Sequence, residues 1–305
     1  MLQQPNTPSA ASPIEALAAG NHKSNRVSLT RPQQHWRERY GPWALVTGAS
    51  DGIGREIARS LANRGLSLVL VARRGELLTA LAEDLRTRHG IETRIIAADL
   101  AQQMGVEKVV SETAHLDVGL LVAAAGFGTS GAFLESNVDQ EINMVDVNCR
   151  AVAAMSHVYG RRFARRGRGG LILMSSLLAF QGVPRSANYA ATKAYVQTLA
   201  EALRLEMAPL GVDVLACAPG PVDTGFAARA NMQMSIALKP AQVAKATLDA
   251  LGRSTTVRPG WLSKFLEWSL SPLPRWGRIR IMGLVMGGMT KHQHGEAKTQ
   301  ARKPA

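Results

Sequence analysis

Two side chains with complementary acid–base chemistry lie four residues apart in the segment Tyr189-Ala190-Ala191-Thr192-Lys193. Positions four apart share one face of an α-helix, so the phenol of Tyr189 and the ammonium of Lys193 would lie side by side. A neighbouring cation favours the phenolate, so the spacing predicts a Tyr189 pKa below the ordinary value of about 10. Such a phenol could donate a proton to a carbonyl oxygen as hydride arrives, or remove one in the reverse direction.

Two further polar side chains could serve the same chemistry. Ser176 follows the apolar run Leu171–Met174, and its hydroxyl could hydrogen-bond a substrate oxygen and stabilise developing charge. Asn148 lies in a helical stretch, where it could hold a water that relays protons to Lys193. An asparagine inside a helix is also often a plain polar surface residue, so both interpretations of Asn148 stand.

A glycine-rich turn lies between the apolar run Ala44–Val46 and the helical pattern Ile53–Arg64. Its three glycines would let the backbone turn sharply and approach a pyrophosphate closely, and the helix start would add free N–H groups and a favourable dipole. This position between a strand and a helix predicts a dinucleotide site. The residues that we expect to line it are Thr47, Gly48, Ser50, Asp51, Gly52, Ile53 and Gly54.

The second apolar run, Ser67–Ala72, is followed by Arg73 and Arg74. Many NAD-binding proteins place an acidic side chain there, which accepts from the ribose 2′-hydroxyl. A guanidinium would instead pair with a 2′-phosphate in bidentate fashion, so the two arginines favour NADP(H) over NAD(H). The carboxylate of Asp51 weakens this preference slightly because it would repel a nearby phosphate.

Two more segments could contact the dinucleotide. Asp99 and Leu100 follow the third apolar run, and the carboxylate of Asp99 could accept from an adenine amino group or cap the next helix. The segment 219–224 follows the last long apolar run, where a loop would pass the nicotinamide ring. The contacts expected in that loop are Pro219, Gly220, Val222 and Thr224.

Short apolar runs alternate with longer stretches of helical periodicity from Trp43 onward. Several runs are apolar on both faces, which is typical of parallel strands covered on two sides. The alternation predicts an α/β fold with a doubly wound parallel sheet and helices on both faces. The predicted strands are Ala44–Val46, Ser67–Ala72, Thr93–Ala97, Leu116–Ala123, Leu171–Met174 and Val212–Ala218. The clearest helices are Ile53–Arg64, Leu77–Arg88 and Ala187–Met207, and Pro240–Leu251 is another.

The basic charge of the chain lies mainly in its flanks. The 305 residues carry a formal net charge of +13, of which residues 1–40 contribute +3 and residues 253–305 contribute +8. A nucleic-acid enzyme would more often place basic charge around its site, so no nucleic-acid partner is expected. Basic flanks fit either an anionic partner such as a membrane surface or solvated tails. The two cysteines, Cys149 and Cys217, lack CxxC spacing, so neither a metal site nor a disulfide framework is expected.

These motifs together resemble the short-chain dehydrogenases/reductases of the single-domain, NAD(P)-dependent type. The resemblance covers residues 42 to about 252, in the family's order: TGASDGIG at 47–54, ADL at 98–100, Asn148, Ser176, YAATK at 189–193 and PGPVDT at 219–224. It implies a Rossmann-type sheet of seven strands or so. It also implies that Tyr189 is the acid/base, Lys193 its partner and ribose ligand, Ser176 the donor to the substrate oxygen, and Asn148 the relay residue.

One stretch departs from the family pattern. The family normally has Asn-Asn-Ala-Gly after the fourth strand, whereas this chain has Ala123-Ala124-Ala125-Gly126. The resemblance makes Gly126 a cofactor contact. The missing amides usually brace the central sheet and line the adenine side, so the departure bears on cofactor affinity and local stability.

The resemblance also suggests an organisation for the whole chain. We expect a disordered basic extension over 1–40, a Rossmann-type catalytic domain over 41–252, and a basic, partly apolar extension with a disordered end over 253–305. The family usually works as dimers or tetramers, and the helix that bears Tyr189 often forms the interface. A homodimer or homotetramer in the cytoplasm is therefore expected, with a small-molecule carbonyl or alcohol as substrate.

The segment 261–290 has two interpretations. Its large apolar and basic residues could form an amphipathic segment that lies on a membrane or covers the substrate cleft. They could equally form helices packed on the domain or on a partner subunit, which the sequence slightly favours. The loop 225–238 contains Phe226, Met232, Met234, Ile236 and Leu238, which suggest a lid over an apolar ketone or aldehyde.

Two hypotheses from other functional classes are alternatives to the hypothesis of a carbonyl reductase. A catalytically idle dinucleotide-binding redox sensor would keep the glycine turn, but it would have less reason to keep Tyr189, Lys193 and Ser176 together. A binding module for anionic surfaces would depend on the basic residues after 252 and would not need the cofactor.

Overall fold

The computed structural model describes residues 29–232, 237–270, 272–290 and 293. Its strands are β1 (Trp43–Thr47), β2 (Ser67–Ala72), β3 (Thr93–Ala97), β4 (Val118–Ala123), β5 (Gly169–Met174), β6 (Val212–Cys217) and β7 (Thr256–Val257). All pair in parallel in one sheet of order β3-β2-β1-β4-β5-β6-β7. The order reverses beside β1, so the sheet is doubly wound and the predicted fold class is confirmed.

The helices alternate with the strands along the chain. They are α1 (Arg31–Tyr40), α2 (Gly52–Asn63), α3 (Gly75–His89), α4 (Gln103–Glu112), α5 (Val138–Val145), α6 (Ala151–Arg166), α7 (Ala187–Met207), α8 (Gly225–Arg229), α9 (Pro240–Ala250), α10 (Trp261–Leu270) and α11 (Arg275–Met289). A π-helical turn, Asp146–Arg150, joins α5 to α6. No helix among the described residues has both the length and the hydropathy needed to cross a bilayer.

Apolar side chains fill both faces of the sheet. On one face, side chains of α2, α3 and α9 pack against the sheet around Ile57, Leu78 and Leu248. On the other, side chains of α4, α6 and α7 pack around Val109 and Phe163. Every residue of β1, β4, β5 and β6 is buried, because these central strands are covered on both sides. Parallel crossovers then bring the carboxyl ends of the strands to one edge.

Two predicted boundaries differ from the structure. The seventh strand, β7, lies beyond residue 252, so the sheet extends into the segment that was expected to be an extension. A strand of two residues is too short to show an alternating pattern. Residues 31–40, expected to be disordered, form α1. Residues 1–28 lie outside the described residues.

Helix α1 is ordered because it closes the amino-terminal edge of the sheet. The ring of Tyr40 is buried beside Gly170, and the guanidinium of Arg64 lies 4.9 Å from the ring centroid of Trp36. These contacts bury aromatic surface that the charged composition of the segment does not reveal. The helix therefore belongs to the folded domain.

A hydrogen-bonded charge cluster ties α1 to β6. Oδ2 of Asp213 accepts from the hydroxyl of Tyr40 at 2.8 Å and from the guanidinium of Arg39 at 2.9 Å. The guanidinium of Arg204 on α7 lies 3.5 Å from Oδ1. One largely buried carboxylate thus joins α1, β6 and α7.

We expect Asp213→Asn to lower the free energy of unfolding by about 2 kcal/mol, because the substitution leaves two arginines without their counter-charge. Asp117→Asn is the control: Asp117 pairs with Arg166 at 3.1 Å, but its side chain is 54% exposed, against 12% for Asp213. The control should cost no more than about 1 kcal/mol. Urea denaturation of both variants measures the difference, and equal losses would contradict this account.

Candidate active site

A cavity of about 600 Å³ opens at the carboxyl edge of the sheet. Its wall brings together residues that the sequence singled out in separate segments. They include the turn after β1, the arginines after β2, Asp99 and Leu100 after β3, Gly126 after β4, Ser176 after β5 and the loop after β6. Tyr189 and Lys193 of α7 also line it. A crevice at the point where strand order reverses is the expected ligand site of such a sheet.

The glycine turn has the geometry that a dinucleotide phosphate requires. Gly48 and Gly52 have φ values of +67° and +53°, which favour glycine. A Cβ on Gly54 would lie 2.4 Å from the carbonyl oxygen of Gly48, so the turn and the first turn of α2 touch through backbone alone. The turn and the amino terminus of α2 both line the cavity, and this close backbone packing fits a pyrophosphate.

The arginines after β2 lie where a ribose phosphate would need them. Arg73 and Arg74 are exposed and line the cavity. The guanidinium of Arg74 donates to Oγ of Ser50 at 3.3 Å and lies 3.9 Å from Oδ2 of Asp51. Asp51 also caps α2, since its Oδ1 accepts from the N–H of Gly52 at 2.7 Å. The Asp51 carboxylate is thus partly balanced by an arginine.

Asp99 forms a turn and does not cap the next helix. Its Oδ1 accepts from the N–H of Ala101 at 3.1 Å, and α4 begins only at Gln103, with Gln102 as its cap residue. Asp99 and Leu100 both line the cavity, which keeps the adenine contact as a prediction. In the loop after β6, Thr224 caps α8, and all the residues expected there lie on the wall: Pro219, Gly220, Val222 and Thr224.

Thr47 is the one predicted cofactor residue that is absent from the cavity wall. It is buried, and its Oγ1 accepts from the N–H of Ala125 at 3.0 Å. That bond braces the segment in which the family's usual asparagines are replaced by alanines, and Ala123 ends β4 as a buried strand residue. The hydroxyl of Thr47 is therefore a local support between β1 and β4.

Tyr189 and Lys193 are buried together beneath the cavity. The two side chains are 7% and 6% exposed, respectively. Nζ of Lys193 donates to the carbonyl oxygen of Met174 at 2.8 Å and lies 5.7 Å from the ring centroid of Tyr189. The predicted juxtaposition on one face of a helix is present, but the ammonium is anchored to the end of β5.

Burial dominates the acid–base properties of this pair. It raises the pKa of Tyr189 to about 12, while a hydrogen bond with Ser176 acts in the opposite direction. Burial also lowers the pKa of Lys193 to about 8. The predicted direction of the Tyr189 pKa was wrong, because removal from water disfavours the phenolate more than the hydrogen bond with Ser176 favours it. Tyr189 is therefore held as a protonated phenol at neutral pH.

Ser176 lies where a substrate oxygen would meet the phenol. It follows β5, is buried, and lines the cavity. Its Oγ accepts from the N–H of Leu178 at 3.2 Å, which caps the short helical turn Leu177–Phe180. That bond leaves the hydroxyl proton available for another acceptor.

Asn148 lies behind the cavity wall. Its Nδ2 donates to the carbonyl oxygen of Phe127 at 2.9 Å and to Oγ1 of Thr192 at 3.0 Å, while Oδ1 accepts from the N–H of Phe127 at 3.2 Å. The side chain thus links the turn after β4 to the helix that bears Lys193. It lies in a π-helical turn, a distortion that is frequent at functional sites. The relay role stays a prediction.

One end of the cavity is apolar. Phe226 of α8 lies 5.4 Å from the Tyr189 ring, measured between centroids, and Met232 is buried beside it. Helix α11 adds Met282, Val285, Met286 and Met289 to this wall. These α11 residues were not predicted as site residues, although their spacing of three and four marks one helix face.

The loop predicted to be a lid and Arg229 also contribute to this end of the cavity. In the loop that was predicted to be a lid, Phe226 and Met232 line the cavity, whereas Leu238 pairs with Val222 in a β-bridge and does not itself line the cavity. Met234 and Ile236 lie outside the described residues. Arg229, which no sequence motif marks, also lines the cavity, with its guanidinium 4.0 Å from the ring centroid of Phe127.

Comparison with known proteins identifies the family. The model of the short chain dehydrogenase family matches residues 42–235, which is more than half of the chain. The chain therefore belongs to the short-chain dehydrogenase/reductase family, and the resemblance drawn from its motifs is confirmed.

Relatives and solved structures agree with this assignment. A 7beta-hydroxysteroid dehydrogenase from Clostridium sardiniense is 32% identical over 75% of this chain and 90% of its own length. A very-long-chain 3-oxoacyl-CoA reductase from Podospora anserina is 32% identical over 80% of this chain and 75% of its own. The structure of a short-chain dehydrogenase from Sphingobium yanoikuyae in complex with NADPH matches with a TM-score of 0.69 and 27% identity, over 76% of this chain and 94% of that one.

The family and the geometry together define the reaction class. The protein is an oxidoreductase that interconverts a carbonyl and an alcohol and uses a nicotinamide dinucleotide. The glycine turn, with no room for a Cβ on Gly54, fits that cofactor.

The lowered pKa of Lys193 predicts a pH dependence of stability. Burial brings this pKa to about 8 from 10.5, so between these values the unfolded chain binds more protons at this residue than the folded protein does. The stability contribution of Lys193 therefore rises with pH in that window. We expect the free energy of unfolding of the wild type to increase relative to that of Lys193→Met as the pH rises from about 8 to about 10.

Urea denaturation at a series of pH values measures this difference. Lys245→Met is the control, because it removes a lysine whose side chain is 78% exposed and leaves Lys193 in place. A difference between wild type and Lys193→Met that stays constant across the window would contradict the effect of burial.

Proposed function

We propose that this protein is an NADP(H)-dependent reductase of apolar ketones or aldehydes, with Tyr189 as its acid/base. The observation that carries the proposal is the position of Tyr189 in one cavity. Its phenol lies between an arginine-flanked glycine turn and a wall of methionines and Phe226. A dinucleotide with its pyrophosphate at the turn and an apolar carbonyl at the methionine wall would bring the nicotinamide and the carbonyl together beside the phenol.

The cofactor, when bound, supplies or accepts the hydride. The chain's own groups handle the proton and the oxygen. Ser176 orients the carbonyl oxygen through its hydroxyl proton, and Tyr189 donates a proton to that oxygen as negative charge develops on it. The raised pKa of Tyr189 suits this direction, because the phenol is protonated before the reaction. In the reverse direction Tyr189 takes the proton back from the alcohol.

Lys193 stabilises the charge left on Tyr189. Its ammonium is buried, so its attraction to a newly formed phenolate is weakly screened. The bond to the Met174 carbonyl fixes its position. A lysine so placed also lies at the cavity wall, where it can hold the nicotinamide ribose. Asn148 holds the turn at Phe127 and the helix at Thr192, and we assign it the relay of protons towards Lys193.

The apolar wall favours a large hydrophobic substrate. Buried Met232, Met282 and Met286 are flexible and adapt to irregular apolar shapes. Among the relatives, one is named for a hydroxysteroid and another for very-long-chain 3-oxoacyl-CoA, and both names denote large apolar substrates. An acyl, fatty or steroid-like ketone, or a hydrophobic aldehyde, is the substrate class that this cavity fits best.

We also infer a homo-oligomer that uses α5 and α7. Val138 and Ile142 of α5 and Tyr195 of α7 are exposed, and the two helices are in contact. Exposed apolar side chains at helical spacing commonly mark a helix-to-helix interface. Sedimentation equilibrium should give a multiple of the 32.7 kDa chain mass, and a single-chain mass at every concentration would contradict this inference.

Replacing Tyr189 by phenylalanine should lower kcat by about 10²- to 10⁴-fold and leave the Kd for NADPH unchanged, because only the transferred proton is lost. Tyr195→Phe on the same helix is the control and should keep its activity, since Tyr195 does not line the cavity and phenylalanine preserves its apolar ring. Oxidation of NADPH would be followed with steroid ketones, 3-oxoacyl thioesters, hydrophobic aldehydes, small polar ketones and sugars.

The substrate panel separates the competing functions. Turnover of sugars or small polar ketones alone would contradict the apolar substrate class. Binding of NADPH with no turnover of any substrate would contradict the reductase and support the idle redox sensor.

Removing the arginines after β2 should change cofactor choice. We expect Arg73→Ala and Arg74→Ala each to raise the Kd for NADPH by about tenfold or more, through loss of a charge-assisted hydrogen bond, and to leave the Kd for NADH nearly unchanged. Arg88→Ala, at the exposed end of α3, is the matched control. An equal rise in the Kd values for NADPH and NADH would show that the arginines do not recognise a 2′-phosphate.

A further inference from the structure

Helices α10 and α11 expose an unusual amount of aromatic surface. Seven of the 17 large hydrophobic side chains that are exposed among the described residues lie on these two helices. They include three of the five tryptophans of the chain: Trp261, Trp268 and Trp276. The other two tryptophans, Trp36 and Trp43, are packed within the folded domain. Surface tryptophan is therefore concentrated in a single stretch of the chain.

The exposed side chains follow helical spacing. On α10, Trp261, Phe265 and Trp268 recur at intervals of four and three, and the last two rings lie 6.2 Å apart between centroids. On α11, Ile281, Leu284 and Val285 are exposed, while Met282 and Met286 are buried toward the cavity. Helix α11 thus has an inner side that serves the reaction cavity and an outer side that is apolar and exposed.

The charge on this segment is almost entirely positive. Residues 258–290 contain five basic side chains and one acidic side chain, Glu267. Lys264, Arg275 and Arg280 are exposed, and the guanidinium of Arg280 lies 5.2 Å from the ring centroid of Trp276. Tryptophan and leucine interleaved with lysine and arginine are typical of segments that lie in the interface of an anionic membrane.

We infer that α10 and α11 form an anchor surface that binds the headgroup region of an anionic lipid bilayer. Tryptophan rings suit that region because one edge is apolar and the N–H is polar. Exposed basic side chains beside them would neutralise lipid phosphates. No part of the chain needs to cross the bilayer for this contact.

A second copy of the chain fits this surface less well. In a twofold dimer the same patch would contribute from both copies, so the exposed arginines and lysine of both copies would be gathered in one interface. One acidic residue in the segment cannot balance that repulsion. An anionic bilayer supplies the missing negative charge.

The anchor surface adjoins the route into the cavity, and this part of the inference rests on the proposed function. Val285 is 46% exposed and also lines the cavity, and Leu284 next to it is 79% exposed. An apolar substrate dissolved in the bilayer would then reach the methionine wall by passing along α11 without crossing bulk water. The anchor surface would thus select for substrates that partition into lipid.

Vesicle binding tests the anchor surface without reference to catalysis. The full chain would be sedimented with vesicles of phosphatidylcholine containing phosphatidylglycerol and with vesicles of phosphatidylcholine alone. We expect binding to the anionic vesicles, a blue shift of tryptophan emission, and release by added salt. Arg275→Glu combined with Arg280→Glu should weaken vesicle binding by about tenfold or more, and Leu284→Ser should weaken it as well.

Matched controls guard against unfolding and non-specific effects. Met104→Ser changes a side chain on α4 that is as exposed as Leu284, at 79%, and Arg94→Glu reverses a charge on β3. Both controls should bind vesicles like the wild type. Equal binding to neutral vesicles, or no binding to either kind, would overturn the proposal. A self-association that the Leu284→Ser variant abolishes would assign the surface to a second copy.

Substrate delivery is measured separately. A hydrophobic ketone would be offered within anionic vesicles, and a short-chain soluble ketone in buffer. The anchor variants should lose turnover of the vesicle-borne ketone by a larger factor than turnover of the soluble one. Equal turnover of the vesicle-borne ketone by wild type and variants would overturn the entry route. Absence of all turnover would instead contradict the proposed function, while the sedimentation result would still decide the anchor surface.

Discussion

The burial of a lysine ammonium is the constraint on which the site depends. A buried ammonium needs hydrogen-bond acceptors, because removal from water is costly. Lys193 finds one in the carbonyl of Met174, at the carboxyl end of β5. That bond fixes α7 against the sheet edge and so fixes the height of Tyr189 in the cavity. The contacts of Asn148 with Phe127 and Thr192 hold the same helix from the other side. Chemistry and architecture thus share one set of hydrogen bonds.

The alternation of strands and helices could be predicted from the sequence. Ser67–Ala72 has the predicted bounds, because a buried parallel strand is apolar on both faces. The glycine turn could also be predicted, since only glycine at position 54 allows the backbone of α2 to pack this closely against the carbonyl of Gly48. Helix α1 and strand β7 were missed. The first owes its order to tertiary contacts of Tyr40 and the second is two residues long, so neither leaves a periodic pattern.

The identity of the candidate catalytic residues could be predicted from the sequence, but the direction of the Tyr189 pKa shift could not. Spacing placed Tyr189 beside Lys193, and the structure agrees. The direction of the Tyr189 pKa was beyond reach of the sequence, because it depends on how deeply the phenol is buried and on where the ammonium is anchored. The apolar wall was hidden for a different reason. Met282 and Met286 lie almost 100 residues from Tyr189 in the chain, and no short motif links them.

The late position of α11 also affects how the chain folds. Glycine turn, sheet strands β1 to β6 and α7 are all synthesised before residue 275, so the dinucleotide half can form while α11 is still being made. Until α11 docks, Phe226 and Met232 lack their packing partners Met282 and Met286, and the nascent chain exposes an apolar cleft beside Tyr189. Completion of the pocket wall is therefore a late event in the folding of the chain.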